Sequence, residues 1–448
     1  MRLFSILFLT VVGLQAQHIL PLRERAATIE AIQEDRLNHL LPRLMAERDF
    51  DMWVLITREF NEDPVVKTLL PPTWLNARRR TILVFSKDPK TGTVERVAMT
   101  RYAFGKHFPS VWDKAKQPDQ FQALADYIVA KNPKKIGINM SESYGIADGL
   151  VHTDHQGLYD ALPTNYSRRL VSAEDLAVAW IETRTQQEMV LFQQLTEITH
   201  RIIAEAFSTK VITPGVTTTE DVVWWLREKV MALGLDTWFH PTVDVQRNEA
   251  SDLYAFDGLQ KWDVIQPGDL LHCDFGITYL TLNTDCQELA YVLRPGEKEA
   301  PDYLQQALAE GNRVQDLFTA YFATGRTGNE TLRMSLTAGQ DEGLRPQIYT
   351  HPLGTYGHSA GTTFGMWDAQ AGVPGSGDRP LHENTTYAIE LNTKVFVKAW
   401  NKDIRVMLEE AGYWGPDGFR YVHGRQTDLL LVGGQADYLR EASTVEHR

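Results

Sequence analysis

The stretch HCDFGITYLTLNTDCQE, residues 272–288, decides how this chain is read. Asp274 and Asp285 stand eleven residues apart, each at the end of a short β-like run. Asp is a poor strand former. Two of them buried side by side repel unless something positive lies between. The runs DLLHCDFGITYL and NTDCQELAYVL read as an antiparallel hairpin in which Asp274 directly faces Asp285 and Cys273 directly faces Cys286. Successive residues of a strand alternate between faces, so one face carries two carboxylates and the other two thiols. A disulfide across such a pair is often strained, so free buried thiols are expected. Two facing carboxylates with no Lys or Arg nearby suit a hard or borderline cation. The plainer reading makes one Asp a turn residue and leaves the other in solvent. The tripeptide DFG does not make this a kinase, because neither a glycine-rich loop nor a His-Arg-Asp segment precedes it.

Further candidates lie downstream. YTHPLGTYGHSAGTTFGMWD, residues 349–368, holds His351 and His358 in a glycine-rich, poorly helical segment. TTYAIELNTKVFV, residues 385–397, puts Glu390 in the middle of an otherwise apolar strand. A glutamate between Ile389 and Leu391 is costly to bury unless it is paired or metal-bound. NKDIRVMLEEAGYW, residues 401–414, repeats the pattern with Glu409 after Val406, Met407 and Leu408. Strand alternation sends Glu410 to the opposite face. Asp, Asp, His, Glu, Glu, in that order across a strand-rich region, is a specific signal.

The rest of the chain sets the frame. At 448 residues it is long enough for two or three domains with a substantial core. Its formal net charge of −13 argues against nucleic acid, which needs clustered positive charge. MRLFSILFLTVVGLQAQ, residues 1–17, has a basic start, an apolar run and a small residue at Ala16, the pattern of a signal peptide cut near Ala16–Gln17. Its apolar run is shorter than the ~20 residues that span a bilayer. Export to the periplasm or outside is therefore expected, with no membrane attachment after cleavage. Two cysteines are too few for a disulfide-built fold.

Residues 18–170 alternate helical spacing with strand-like runs: DMWVLIT at 51–57, RTILVFS at 80–86, VERVAMT at 94–100 and KIGINM at 135–140. This is an α/β unit. It opens with one long helical stretch from Arg23 to Phe50 and has no phosphate loop. A boundary is expected near 165–180, and a second unit at 180–438. There Met189, Phe192, Leu195, Ile198, Ile202 and Ala206 follow helical periodicity. Thr217 and Glu220 fit a capping box for the next helix. From residue 239 onward short strands and turns dominate.

The ligand order and the GHSAG segment resemble the pita-bread metallopeptidases, the family of Xaa-Pro aminopeptidases, prolidases, methionine aminopeptidases and creatinases. The resemblance covers residues about 180–435 by motif, and the preceding α/β unit looks like the N-terminal domain of the creatinase and Xaa-Pro peptidase branch. It implies an α+β protein: a creatinase-like α/β domain followed by a curved antiparallel sheet covered by helices. It implies metal ligands at Asp274, Asp285, His358, Glu390 and Glu409. Two divalent ions follow, Mn²⁺ foremost, with Co²⁺, Fe²⁺ or Zn²⁺ as alternatives. Asp285 and Glu409 would bridge them, Asp274 would bind one, and His358 and Glu390 the other. By the same resemblance a bridging hydroxide cleaves a peptide bond near the N-terminus of a short peptide, as in Xaa-Pro aminopeptidases and dipeptidases. Glu390 would pass the proton to the leaving amine, and His351 is the candidate for a second catalytic histidine.

The match departs from the family in the walls. HPTVDVQRNEASDLYAFDG has no His at the place usual upstream of the first Asp, leaving His240 at its start. Trp367 stands before Asp368 where a His is usual. Both are candidate substrate contacts. Members of this length imply a homodimer. The alternatives are a non-peptide C–N hydrolase on the creatinase scaffold, or a non-catalytic binding protein; an intact ligand set counts against both.

Overall fold

A computed structural model describes residues 19–248 and 263–433. The expected signal peptide and the end of the expected second unit lie outside the described residues. The protein is α+β, an α/β unit followed by a strand-rich unit with helical cover.

The first unit is built on a mixed five-stranded sheet. Its order is Val94–Ala98, Arg80–Lys87, Met52–Arg58, Ile136–Ile138, Leu170–Ser172. The first three strands are antiparallel to one another and the last three parallel. Residues 52–57 are buried without a break because helices cover both faces. Trp53 and Leu55 face a core shared with residues 37–45, 65–69 and 176–181. Met52, Val54 and Ile56 face the opposite core, with Leu124, Ile128 and Leu158. The long opening helix is not continuous. Leu22–Asp35 and Leu41–Glu47 are joined by a π-helical turn, Arg36–Leu40. That turn inserts Arg36 into the interior, where its guanidinium meets Glu188 at 2.8 Å and lies 4.4 Å from the centre of the Trp180 ring. Such turns break helical periodicity without ending the helix.

The second unit begins with Gln186–Ala206. Thr185 and Glu188 form its capping box, and every apolar position of the predicted stripe is buried. The next helix, Thr219–Ala232, is capped one residue later than expected. Thr218 and Asp221 make the box, because Thr217 instead accepts from the Thr213 N–H. These helices pack on a four-stranded sheet of order Leu430–Val432, Cys286–Val292, Leu270–Phe275, Thr242–Gln246.

Two larger sheets and a two-stranded hairpin, Thr278–Tyr279 with Leu282–Asn283, complete the unit. One holds Pro346–Ile348, Leu391–Val397 and Lys402–Leu408. The other holds His351–Pro352, Thr385–Ala388, Ala411–Gly415 and Gly418–Tyr421. The chain crosses between these two sheets three times, at 349–350, 389–390 and 409–410. Glu390 and Glu409 therefore sit in breaks between strands, not within a continuous strand as the apolar flanks suggest. A bridge pairs Gln287 with Glu409 and ties the sheet that contains Cys286–Val292 to this seam. Among the described residues no helix is long and apolar enough to cross a membrane.

Glu188 locks the two units at their junction. It is buried with Arg36 at 2.8 Å and Arg184 at 3.0 Å. Burial opposes its charge, yet Arg184 and Arg36 hold its carboxyl below the ordinary range. Glu188→Gln leaves two buried guanidinium groups without their anion, and breaking such a pair costs about 3–5 kcal/mol. Urea unfolding should show a loss of that size; a loss under about 1 kcal/mol, as for an exposed pair, would contradict the role.

Candidate metal centre

The hairpin around residue 280 places the two aspartates. The turn between Thr278–Tyr279 and Leu282–Asn283 uses Leu280 and Thr281, both at positive φ, 50° and 72°. Two left-handed residues in a two-residue loop match the right-handed twist of the flanking strands. This turn centre lies one residue beyond the one expected, so the register is corrected throughout. Asp274 faces Gln287, and Cys273 faces Glu288. Asp274 and Asp285 are diagonal neighbours on one face. The two thiols point the other way into the core and are free.

On the carboxylate face the side chains converge. Ligating atoms of Asp274, Asp285 and Glu409 all lie within 4.8 Å of one another, as do those of His351, Glu390 and Glu409. Asp285, His351 and His358 form a third such group. Nε2 of His351 is 3.5 Å from Asp285 Oδ2, 3.5 Å from Glu409 Oε1 and 4.0 Å from Glu390 Oε2. Asp285 and Glu409 are buried; Asp274, His351 and Glu390 are half-buried, which leaves the cluster open on one side. His358 stands at that exposed rim, its ring 4.7 Å from His351 and 5.1 Å from Trp238.

The electrostatics are those of a site built for a cation. Burial, and then Asp285 and Glu390, push the Asp274 carboxyl well up. Burial, Asp285 and Glu390 do the same to Glu409. Glu390 is pushed up to about 7, chiefly by burial, with His351 opposing and Asp285 adding. Burial resists charge on His351, but the carboxylates of Asp285 and Glu409 drive its pKa well up. His358 is lowered by burial and by His351. Asp274 Oδ1, Asp285 Oδ1, Glu409 Oε1 and His351 Nε2 are buried without a hydrogen-bond partner among the described residues. Buried polar atoms are normally satisfied, so four orphaned ligating atoms converging here fit one or more divalent ions.

The other candidates fall elsewhere. His240 is exposed, 3.0 Å from Arg227 Nη1 and packed on Trp224. Trp367 is 53 % exposed, and its carbonyl accepts from Gln347. Among the described residues neither belongs to a group of side chains that could hold a metal ion. Glu410 turns away from the cluster, to His200 Nε2 at 2.8 Å and the Gln426 N–H at 2.8 Å. Trp238, not anticipated, walls the rim: its Nε1–H donates to the Thr284 carbonyl at 2.9 Å, and its ring lies 4.5 Å from Phe239. Gln287 and His272 were also not anticipated. Their signal was present, as polar residues inside the apolar strands LLHCDF and CQELAYV.

A family model, metallopeptidase family M24, matches residues 191–422, just over half of the chain and all of these ligating residues. The chain belongs to metallopeptidase family M24. Its fold is that of solved structures at low sequence identity. It is similar to an X-Pro aminopeptidase from Thermotoga maritima, with 15 % identity, a TM-score of 0.62 and coverage of 87 % of this chain and 100 % of that one. It is similar to a dipeptidase from Mycobacterium ulcerans, with 16 % identity, a TM-score of 0.58 and coverage of 90 % and 98 %. It is also similar to an Xaa-Pro dipeptidase from Bacillus anthracis, with 14 % identity, a TM-score of 0.55 and coverage of 92 % and 100 %. Comparison with curated proteins finds no relative. The chain has the pita-bread fold of that family.

The raised acids set a pH dependence for the metal-free protein. Glu390 has an ordinary value of 4.5 and a folded value of about 7, so between the two the folded state binds more protons. Stability then falls as pH rises through that window. The raised His351 acts in the same direction, since its bound proton is lost at higher pH. Thermal midpoints of chelated protein should therefore drop between about pH 5 and pH 8, and saturating Mn²⁺ should remove the slope. A metal-free profile that rises with pH would contradict the cluster's electrostatics.

Proposed function

We propose that this M24 member is a metal-dependent peptidase acting near the N-terminus of short peptides, of the Xaa-Pro type, with two divalent ions at the carboxylate cluster. The observation that supports this best is the convergence of four carboxylates and His351 with four orphaned ligating atoms. We assign the ligands as Asp274, Asp285, His351, Glu390 and Glu409. His351 takes the place that the resemblance implied for His358, because its Nε2 lies within 4.0 Å of three of the carboxylates. Carboxylates with one imidazole suit Mn²⁺ or a similar ion better than a structural zinc site.

Bound divalent ions would supply a Lewis acid and a water made nucleophilic at neutral pH. The chain's own groups supply the remainder. Glu390, with a carboxyl pushed up to about 7, can hold a proton and return it to the leaving amine. His358 at the rim is kept neutral by burial and by His351, and so is fit to donate one hydrogen bond to a substrate carbonyl. Trp238 and Phe239 form an apolar wall beside it, a surface suited to a prolyl ring. The fold likeness to X-Pro and Xaa-Pro peptidases supports the same class. The N-terminal apolar run supports export, which the N-terminal sequence of the mature protein would test.

Two experiments check this reading. Chelation should abolish cleavage of an Xaa-Pro peptide panel, and added Mn²⁺ should restore it. Restored cleavage confined to peptides without proline would discard the proline preference, and no cleavage with metal bound would discard the peptidase. Among variants, His351→Ala and Glu409→Gln should lose metal, whereas His358→Ala should keep metal and lose about 10²–10³-fold in kcat, the scale of an oxyanion donor. Metal analysis showing the reverse for the two histidines would restore His358 to the ligand set.

A further inference from the structure

We propose that Gln287, held in one orientation by His272, is a positioning residue that decides which oxygens of Glu390 and Glu409 remain free for metal; this rests on the metal-centre reading above. Gln287 lies in a strand buried along its whole length and is itself buried. Its Nε2 donates to Glu390 Oε1 at 2.7 Å and to Glu409 Oε2 at 3.0 Å. A primary amide has two N–H bonds, and both are used. Backbone bonds to the same partner, from Gln287 N–H to the Glu409 carbonyl at 2.9 Å, hold the side chain in place.

The other end of the amide is fixed by the neighbouring strand. Gln287 Oε1 lies 2.8 Å from His272 Nε2. An amide oxygen only accepts, so His272 carries its hydrogen on Nε2 and donates. His272 faces Asp244 across the next strand pair, with its Nδ1 3.4 Å from Asp244 Oδ2. Flipping the amide would set two N–H bonds against the imidazole N–H and one oxygen against two carboxylates. His272 on one side and Glu390 and Glu409 on the other thus enforce one orientation.

The consequence falls on the two glutamates. Each turns one oxygen to Gln287 and the other toward His351, at 4.0 Å for Glu390 Oε2 and 3.5 Å for Glu409 Oε1. Glu409 Oε1 is one of the orphaned buried atoms. Gln287 therefore satisfies one side of each carboxylate and leaves the other as a ligand, the role that partners of metal ligands play elsewhere.

The test is calorimetric Mn²⁺ titration of the chelated protein for wild type, Gln287→Leu, His272→Leu and the double variant, with thermal midpoints of each metal-free form. Losing such a partner costs about 10–100-fold in metal affinity, and Gln287→Leu should show it. His272→Leu should show a smaller loss, and the double variant should be no weaker than Gln287→Leu, because His272 acts only through the amide. Gln287→Met, which keeps the length of the side chain without its N–H donors, should show the same loss and serves if the leucine variant does not fold. Folded Gln287 variants that bind Mn²⁺ within about twofold of wild type, or losses that add in the double variant, would overturn the proposal. Wild-type protein that binds no divalent ion would overturn the metal-centre reading itself and this proposal with it, an outcome distinct from metal bound equally by all variants.

Discussion

Four clustered carboxylates at least half-buried, three of them within 4.0 Å of one imidazole, are the constraint on which the rest of this structure depends. Asp274, Asp285, Glu390 and Glu409 repel one another, and their burial raises the cost of every negative charge placed there. No Lys or Arg ion-pairs with any of them among the described residues. The fold sets Glu390 and Glu409 at a seam where the chain passes three times between two sheets, beside the hairpin that carries Asp274 and Asp285. At such crossings the ladder is interrupted, so side chains there are free to turn into the gap rather than to follow the pleat. Repulsion at the seam is the electrostatic complement of a divalent ion.

The surroundings of the cluster are organised in the same direction. Beneath it, Gln287, itself bonded to His272, satisfies one oxygen each of Glu390 and Glu409. At the rim, the segment 353–361 carries His358 and is pinned by the first unit. Tyr144 Oη donates to the Gly361 carbonyl at 3.0 Å, and Tyr356 Oη donates to the Pro64 carbonyl at 2.7 Å. Gly357 lies against Trp238 so closely that a Cβ there would meet the ring at 2.3 Å. The α/β unit, which holds none of the ligating side chains, thus acts on the site by fixing the loop that shapes its mouth. Arg379, bound to Glu182 and Asp175, adds a second tie between the units.

Much of this was legible in the sequence, and the failures have physical causes. The four carboxylates stood out because each broke an apolar pattern, and the long amphipathic helix stood out by its spacing. The hairpin register was missed by one position at the turn. Nothing in Tyr279-Leu280-Thr281-Leu282 announces a left-handed pair, since Gly and Asn usually fill those places. Glu390 and Glu409 were seen as strand residues because their flanks are apolar on both sides; the seam between sheets leaves no mark on local pattern. The histidines were hardest to sort. His351 and His358 share one glycine-rich segment, and only the fold shows that the first enters the carboxylates while the second stays at the rim. Gln287 and His272 were passed over because a single polar residue in a buried strand is more often satisfied locally than attached to a site.

The most direct test is anomalous diffraction from crystals of the protein soaked in Mn²⁺. The account predicts density peaks among Asp274, Asp285, His351, Glu390 and Glu409, with His351 as the coordinating imidazole. Crystals that show no peak there, with His351 instead ion-paired to Asp285 and Glu409, would contradict it.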